Sequence, residues 1–143
     1  MNKAEICARI PHSGSMCLLE GVERWDDTHI HCIAVSHRDA HNPLRSHDQL
    51  HAVCGVEYAA QAMALHGALL AAEDAGPSMG FLASVRDLRL ATSRLDDVTD
   101  DLRVHATRLS GGADSFIYEF SIQARERLLL SGRVAVKLLG GVT

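Results

Sequence analysis

The stretch HDQLHAVCGVEYAAQAMALHGALL, residues 47–70, decides the fold of this chain. It begins with histidine and cysteine, passes through a glycine and continues as a nearly uncharged run of small apolar residues. Its alanine-rich composition favours a helix from about Ala52 to Ala72, with Gly76-Pro77 ending it. Apolar residues occupy nearly every face of this helix, so we expect it to be buried and not to lie on the surface.

The sequence on both sides of this helix is typical of strands and turns. A short amphipathic segment, Lys3–Ile10, ends at Pro11. Two strands are predicted before the helix, at Met16–Arg24 and His29–Val35. Four more are predicted after it, where apolar and polar residues alternate or share one face: Phe81–Leu90, Leu102–Thr107, Phe116–Ile122 and Leu128–Val136.

The order of these elements predicts the architecture. Gly111-Gly112 and Arg125–Arg127 mark two turns of the kind that join antiparallel strands. A single apolar helix is buried on nearly all sides only if a sheet curls around it. The predicted fold is therefore α+β, an antiparallel sheet wrapped around one long central helix. A chain of 143 residues accommodates it as one domain, residues 1–143.

Composition and charge exclude several classes of function. The chain is 47% hydrophobic and 22% charged, which is ordinary globular usage, and its formal net charge of -4 implies no general affinity for nucleic acid. No apolar segment has the length of a signal peptide or a membrane span, so we expect no membrane contact. Four cysteines without the rhythm of a disulfide scaffold are expected to be free thiols in a reducing cytoplasm: Cys7, Cys17, Cys32 and Cys54.

Three motifs resemble a known family. IPHSGSMCLLEGV, residues 10–22, is similar to the opening of the hot-dog-fold β-hydroxyacyl-(acyl carrier protein) dehydratases, with His12 matching a residue that lines or supports the site. GVEYAAQAMALHG, residues 55–67, is similar to their central helix. NPLR, residues 42–45, followed by this helix, resembles more closely the small dehydratases of aryl-polyene gene clusters. The resemblance implies a hot-dog fold and the dehydration of a 3-hydroxyacyl-(acyl carrier protein) thioester to the trans-2-enoyl thioester, in fatty-acid, polyketide or aryl-polyene synthesis.

The resemblance also implies an acid on the helix that protonates the departing hydroxyl, and Glu57 occupies that position. Burying a carboxylate costs several kcal/mol unless it is paired, hydrogen-bonded or protonated. Glu57 lies among Val, Ala and Tyr in the first turns of the helix, so we expect burial to favour its protonated form. The alternative is a structural carboxylate that caps the helix or pairs with a loop arginine such as Arg45.

In this family the base is a histidine in the loop before the helix, which removes a proton from Cα. The Gly-His-Phe-Pro-Gly-like string of the family is absent here. His41 stands two residues before Pro43, which would stiffen its presentation, and we favour it as the base. His51, at the predicted start of the helix, is the second candidate, and His47 lies nearby. For each of these histidines the alternative is a solvated loop side chain.

Residues around Glu57 are candidates for substrate binding. Gly55 has no side chain to block a ligand from its N–H, and free amides at a helix N-terminus suit an enolate-like oxygen. Gln61 lies one turn after Glu57 on the same face and would orient the carboxyl. Ala60 and Ala64 would line a tunnel for the acyl chain. No cofactor is expected, since elimination transfers no electrons to an acceptor.

A metal site is a competing interpretation of the many histidines. His47, His51 and Cys54 stand at spacings that a helical zinc site could use. His29, His31 and Cys32 form a second set, but on a strand the cysteine points away from both histidines. The first set lacks an evident fourth ligand, so we predict no metal.

Two further interpretations share the fold. Hot-dog thioesterases use a carboxylate to direct water at the thioester carbonyl, and Asp48 or Glu57 could serve here. The chain could also be a non-catalytic partner subunit that completes the site of a heteromeric dehydratase. A dehydratase needs a histidine opposite Glu57, whereas a thioesterase can work without one.

The resemblance finally implies partners. Hot-dog subunits dimerise by joining two sheets edge to edge, so His41 of one chain would face Glu57 of the other, in a homodimer or with another hot-dog subunit. The substrate arrives on an acyl carrier protein. Carrier proteins are acidic, and four arginines are candidate contacts: Arg86, Arg89, Arg94 and Arg133. For each of them the alternative is a place on a solvated face of the sheet.

Overall fold

An antiparallel sheet and one long helix form the part of the chain that the structure describes. The computed structural model describes residues 1–10, 16–71, 80–112 and 115–138. The two helices are α1 (Lys3–Arg9) and α2 (Gly55–Leu70). The six strands are β1 (Gly21–Trp25), β2 (His29–Ala34), β3 (Gly80–Leu90), β4 (Leu102–Gly111), β5 (Ser115–Ala124) and β6 (Arg127–Leu138).

The six strands form one sheet in the order β1-β2-β4-β5-β6-β3, and every neighbouring pair is antiparallel. Helix α2 packs against β2, β3, β4 and β5. The long central helix therefore lies against the sheet as predicted, and the α+β architecture is confirmed. No helix among the described residues is long and apolar enough to span a membrane.

The side of the sheet that faces α2 forms the core. On β4, Leu102, Val104 and Ala106 are buried, whereas Arg103 is exposed and His105 is half-buried. On β5 the buried residues again alternate with more exposed ones: Tyr118, Phe120, Ile122 and Ala124. The period of two in the sequence thus identifies the inward face of these two strands.

The predicted helix is shorter and less enclosed than expected. Residues 52–54 form a 3₁₀ turn, α2 begins at Gly55, and the predicted end at Ala72 and Gly76-Pro77 lies outside the described residues. One face of α2 is only half-buried: Val56, Glu57, Ala60, Ala64, Gly67 and Ala68. The expectation of burial on nearly all sides was therefore wrong for this face, which the sheet does not cover.

Two strand predictions need correction. The first strand begins at Gly21 and not at Met16, because the backbone at Met16 and Leu18 bonds a helix side chain. Leu128 does not share the buried face of β6. A bulge pairs Ile122 with Leu130 but Gln123 with Leu128, so one extra residue changes the alternation and leaves Leu128 exposed.

The cysteine prediction was wrong for one pair. Cys7 of α1 and Cys17 are joined by a disulfide, with their Cα atoms 5.9 Å apart. Cys32 and Cys54 are free thiols, as expected. The two bonded residues are only ten positions apart in the sequence, and the contact of α1 with α2 brings the helix close to the segment at residue 17. The disulfide therefore fixes the N-terminal helix onto the body of the fold.

A buried histidine fixes the far end of α2. His66 is fully buried, and its Nε2–H donates to the backbone oxygen of Asp26 at 2.8 Å. Its Nδ1 then accepts from the Tyr118 hydroxyl at 2.7 Å, and that hydroxyl accepts in turn from the guanidinium of Arg108. A neutral imidazole protonated on Nε2 satisfies all of these bonds. Burial, together with the nearby Arg108 charge, lowers the pKa of His66.

We expect the protein to lose stability below about pH 6.5, the ordinary pKa of histidine. In the unfolded chain His66 takes up a proton there, whereas its lowered pKa keeps it neutral in the folded state. The unfolded state then binds more protons, and the free energy of unfolding falls by up to about 1.4 kcal/mol per pH unit for each such histidine. Urea unfolding at pH 7.5, 6.5 and 5.5 measures this fall. His66→Gln should reduce the slope, and an unchanged slope would contradict the assignment.

Replacement by alanine should change the stability of the protein in opposite directions at two glycines of α2. A Cβ on Gly55 would lie 2.8 Å from both methyl groups of Leu130, which is fully buried. Gly67 has no atom within 4 Å of the Cβ position. Gly55→Ala is expected to cost about 1–3 kcal/mol by overpacking, whereas Gly67→Ala should add about 0.5–1 kcal/mol of helix propensity. Chemical denaturation of both variants measures the difference, and equal shifts would refute this account of Gly55.

Candidate active site

Glu57 lies in the first turn of α2 beside a buried glutamine. Its side chain is half-buried, so the predicted burial is only partly realised in the single chain. Gln61, one turn later, is fully buried, and its Nε2 donates to Glu57 Oε1 at 3.4 Å. The helical spacing of four residues thus brings both side chains together on one face.

Gln61 also bonds the backbone near the N-terminus. The N–H of Leu18 donates to Gln61 Oε1 at 2.9 Å, and Gln61 Nε2 donates to the oxygen of Met16 at 2.6 Å. Both ends of the amide are occupied, so its orientation is fixed. The nitrogen must point toward Met16 and Glu57, which gives the carboxylate a donor and not a second acceptor.

The loop that contains the predicted base is organised by Asn42. This residue is 5% exposed, and its Nδ2 donates to the backbone oxygen of Ser36 at 2.9 Å and to the Tyr58 hydroxyl at 3.0 Å. Its Oδ1 accepts from the N–H of Leu44 at 2.9 Å. A single side chain thus connects the loop to itself and to helix α2.

The Tyr58 hydroxyl continues this network toward the N-terminal segment. Ser36 Oγ donates to the oxygen of Leu18 at 2.8 Å and lies 2.8 Å from the Tyr58 hydroxyl. Because the serine proton is used on Leu18, the tyrosine hydroxyl donates to Ser36 and accepts from Asn42. Burial raises the pKa of Tyr58, and its two side-chain partners oppose that rise.

The predicted bases lie on the exposed loop. His41 is exposed, and its N–H donates to Asp39 Oδ1 at 2.8 Å. His47 and Asp48 form the exposed tip of a tight turn, with positive φ angles of 53° and 62°. His51 is also exposed and stands directly before the 3₁₀ turn that leads into α2. All three histidines are therefore accessible from outside the chain.

A second loop holds the start of α2 in place. The Asp96 carboxylate accepts from the N–H of Leu50 at 2.9 Å and from the Arg94 guanidinium, which holds its pKa well below the usual range. The N–H of Ala52 donates to Ser93, and that of Leu95 donates to Leu50. Arg94 is thus engaged in fixing this loop, which weakens its candidacy as a contact for a carrier protein.

Close packing is the main reason for a glycine at position 55. Its missing side chain lets the start of α2 approach Leu130 and Ile122 of the sheet. Its N–H donates to the backbone oxygens of Ala52 and Val53. A substrate oxygen would have to share or replace these acceptors, so Gly55 is not the freely available donor that the sequence indicated.

The other histidines and cysteines give no metal site. Among the described residues, no three His, Cys, Asp or Glu side chains come together in a way that could hold a metal ion. His31 stacks on His105 with ring centroids 3.9 Å apart, on the face of the sheet away from α2. Burial lowers the pKa of both imidazoles, and it raises the pKa of Cys32 to about 12. His12 lies outside the described residues.

A comparison with protein families identifies the chain. The sequence pattern of the ApeP dehydratase family matches residues 4–138. The chain belongs to the ApeP-like dehydratase family. The predicted resemblance to aryl-polyene dehydratases is thereby confirmed. Among curated proteins, no sequence matches this chain.

Solved structures confirm the hot-dog fold. The dehydratase heterocomplex ApeI:P from Xenorhabdus doucetiae is similar, with a TM-score of 0.84 and 23% identity over 95% of this chain and 91% of that one. A variant of the thioesterase PA1618 from Pseudomonas aeruginosa has a TM-score of 0.68 and 12% identity over 98% and 95%. The thioesterase HI1161 from Haemophilus influenzae has a TM-score of 0.63 and 15% identity over 87% and 80%. The fold is thus shared by dehydratases and thioesterases.

Sequence reasoning missed the polar residues that support the site. The sequence places Tyr58 only among the apolar surroundings of Glu57 and Asn42 only in the NPLR motif, and it assigns no role to Ser36. One signal was available: Asn42 stands before a proline in a loop, where asparagine often bonds the backbone two residues on. Its bond to Leu44 is of this kind. Its bond to Tyr58 joins residues 16 positions apart and has no local signature.

We expect Gln61→Leu to destabilise the protein by about 1–3 kcal/mol, because the buried N–H of Leu18 loses its acceptor. Gln123, a half-buried glutamine of β5, provides the control. Gln123→Leu should change the free energy of unfolding by less than about 0.5 kcal/mol. Urea unfolding of the two variants measures the difference, and similar values would show that the Gln61 bonds are not structurally important.

Proposed function

We propose that this chain dehydrates a 3-hydroxyacyl group on an acyl carrier protein to the trans-2-enoyl thioester. One observation supports this most strongly. In a chain of a dehydratase family, Glu57 lies at the start of an apolar helix and receives a hydrogen bond from the fixed amide of Gln61. A carboxyl group in largely apolar surroundings suits the transfer of a proton to a leaving hydroxyl. Fatty-acid, polyketide or aryl-polyene synthesis would supply such a substrate in the cytoplasm.

In the proposed reaction two protons move at neighbouring carbon atoms. His41 takes the proton from Cα of the thioester, and Glu57 gives its proton to the β-hydroxyl. The Cβ–O bond breaks, water leaves, and the double bond forms between Cα and Cβ. His41 then returns its proton to solvent and Glu57 takes one up, so the cycle needs no cofactor.

The thioester oxygen becomes partly negative while Cα loses its proton. Backbone amides at the start of α2 are the proposed donors, because the helix dipole favours negative charge there. Gly55 contributes only if the oxygen shares or replaces the bonds of its N–H to Ala52 and Val53. His51, exposed just before this turn, is the second candidate for the base or for a substrate contact.

The acyl chain is proposed to lie along the half-buried face of α2. Ala60 and Ala64 follow Glu57 on this face, and their small side chains leave room for a methylene chain. Gly67 continues the face with open space at its Cβ position. An apolar chain bound here would be shielded from water on its other side by a partner subunit.

That partner is proposed to be another hot-dog subunit. Among the described strands, β3 forms one edge of the sheet, and its Val85 and Leu90 side chains are 39% and 48% exposed. An exposed edge with apolar side chains favours pairing with a second chain. The Xenorhabdus doucetiae relative is a heterocomplex of ApeI and ApeP, so we favour a heteromer over a homodimer. His41 would then face a Glu57-type acid, or Glu57 a histidine, across the interface.

The carrier protein is proposed to contact the arginines near this edge. Arg86 is cross-strand from Arg133, and Arg89 follows on the same strand. Arg133 lies 3.3 Å from Glu119, an exposed pair that leaves its charge largely available. A cluster of exposed cations suits the acidic surface of a carrier protein.

Hydrolysis of the thioester is the alternative reaction. Several similar structures are thioesterases, although their low identity concerns the fold alone. Glu57, or Asp48 on the exposed turn, would direct a water molecule at the carbonyl carbon. The products distinguish the two reactions, because hydrolysis releases a free thiol and forms no enoyl group.

The decisive experiment offers 3-hydroxyacyl-carrier substrates to the full chain, alone and mixed with an ApeI-type subunit. For the chain alone we expect enoyl formation to fall by at least about 100-fold in Glu57→Gln and in His41→Ala, since each removes one proton-transfer group from both sites of a homodimer. In the mixture the same fall is expected for the variant whose group serves the heteromeric site. Mass spectrometry of the carrier and enoyl absorbance measure the product.

His47→Ala serves as the control, because it removes an exposed histidine of the same loop. It should keep the wild-type rate. Release of free carrier thiol without an enoyl product would show that the chain hydrolyses the thioester and does not dehydrate the acyl group. Activity that survives both Glu57→Gln and His41→Ala would indicate that this chain is the supporting subunit of the complex.

A further inference from the structure

We propose that Tyr58 is a positioning residue that ties the helix bearing Glu57 to the loop bearing His41. The inference rests on the proposed function and concerns a residue with no place in the proton transfers. Tyr58 directly follows Glu57 in α2, about 100° further around the helix axis, and its side chain is buried in the core. Its hydroxyl there binds the loop and not another helix residue.

Three segments of the candidate site meet at this hydroxyl. Asn42 Nδ2 donates to it from the loop, and it donates to Ser36 Oγ, which donates to the oxygen of Leu18. Leu18 also donates its N–H to Gln61, the residue that bonds Glu57. The hydrogen bonds therefore lead from the loop through Tyr58 back to the candidate acid, without passing through solvent.

Asn42 precedes Pro43 and directly follows His41, so the hydrogen bonds that hold Asn42 also restrain His41. The N–H of Asn42 donates to the oxygen of Asp39, and its own oxygen accepts from the N–H of Arg45. The Cα atoms of adjacent residues are always about 3.8 Å apart. A shift of Asn42 therefore displaces the backbone of His41, to which it is covalently joined.

The proposed positioning depends on the hydroxyl of Tyr58 and not on its ring. Tyr58 is 0% exposed, and phenylalanine would fill the same volume of the core. Tyr58→Phe leaves one N–H of Asn42 without its acceptor in a buried place, and it removes the donor to Ser36. The loop can satisfy these groups only by moving toward water. Misplacement of a catalytic group by about 1 Å can cost about 100-fold in rate.

Tyr118 provides a matched control at the other end of the helix. It is 1% exposed, and its hydroxyl bonds His66 and Arg108. Along α2, His66 is about 14 Å from Glu57, at 1.5 Å per residue. Tyr118→Phe therefore removes an equally buried, equally bonded hydroxyl from a place outside the candidate site.

The experiment compares Tyr58→Phe with Tyr118→Phe in the complete dehydratase, below the melting temperature of both. We expect Tyr58→Phe to lower kcat by about 10–100-fold with KM within about threefold, because binding residues are untouched while the base is displaced. Tyr118→Phe should keep kcat within about threefold, at a similar loss of stability. A Tyr58→Phe variant with wild-type kcat would overturn the inference.

A double variant and hydrogen exchange separate positioning from general damage. If Asn42 and Tyr58 act as a unit, Asn42→Ala added to Tyr58→Phe should lower kcat little further. Amide exchange over residues 36–45 should accelerate in Tyr58→Phe and not in Tyr118→Phe. Unchanged exchange in that segment would overturn the inference even if kcat fell.

The proposed function can fail separately from this inference. If the wild type, alone and with an ApeI-type subunit, forms no enoyl thioester, the dehydratase proposal is wrong. Exchange over residues 36–45 still decides whether Tyr58 orders the loop. If wild type is active and His41→Ala is also active, the loop does not supply the base, and a fall in kcat in Tyr58→Phe could not arise from positioning His41.

Discussion

The candidate site depends on one constraint: two polar side chains enter an apolar interior from the first two turns of a single helix. Tyr58 and Gln61, which flank the half-buried Glu57, each need hydrogen-bond partners there, because an unsatisfied buried polar group costs about 1–3 kcal/mol. The helix cannot supply them, since its own backbone groups are bonded within it. The partners come from the loops, through Leu18 and Asn42. The hydrogen bonds that these helix side chains need therefore hold the loops in place. Burial of the side chains thereby determines the geometry of the site.

The fold was largely predictable because it follows from periodicity. Residues 102–106 of β4 and 118–124 of β5 alternate between buried and more exposed positions, and this period of two predicts their inward faces. Prediction failed where tertiary structure changes the local pattern. The bulge beside Ile122 and Gln123 inserts one residue into β6, and nothing in the local sequence marks it. The disulfide between Cys7 and Cys17 depends on how α1 packs against α2, which spacing alone does not determine.

The candidate site could be predicted from the sequence only in part, and there is a physical reason why the rest could not. Glu57 was found as the single carboxylate of an apolar helix, and Gln61 because a helix places residues four apart on one face. The contacts of Gln61 with Leu18, and of Tyr58 with Ser36, join positions 43 and 22 residues apart. Such pairs leave no pattern in one sequence. The predicted role of Gly55 was also incomplete. The sequence shows that a side chain is missing there, but the structural reason is close packing on Leu130 and not access to the N–H of Gly55.

The two buried tyrosines differ in how they respond to acid, although both fix α2 through a hydroxyl. At the far end Tyr118 donates to a neutral His66, so protonation of that imidazole removes its acceptor. Near the site Tyr58 bonds Ser36 and Asn42, neither of which titrates, and its own pKa is raised by burial. Protonation of His66 therefore weakens the attachment of the helix at its C-terminal end. The attachment near Glu57 is made through the side chains of Ser36 and Asn42, which keep their charge state.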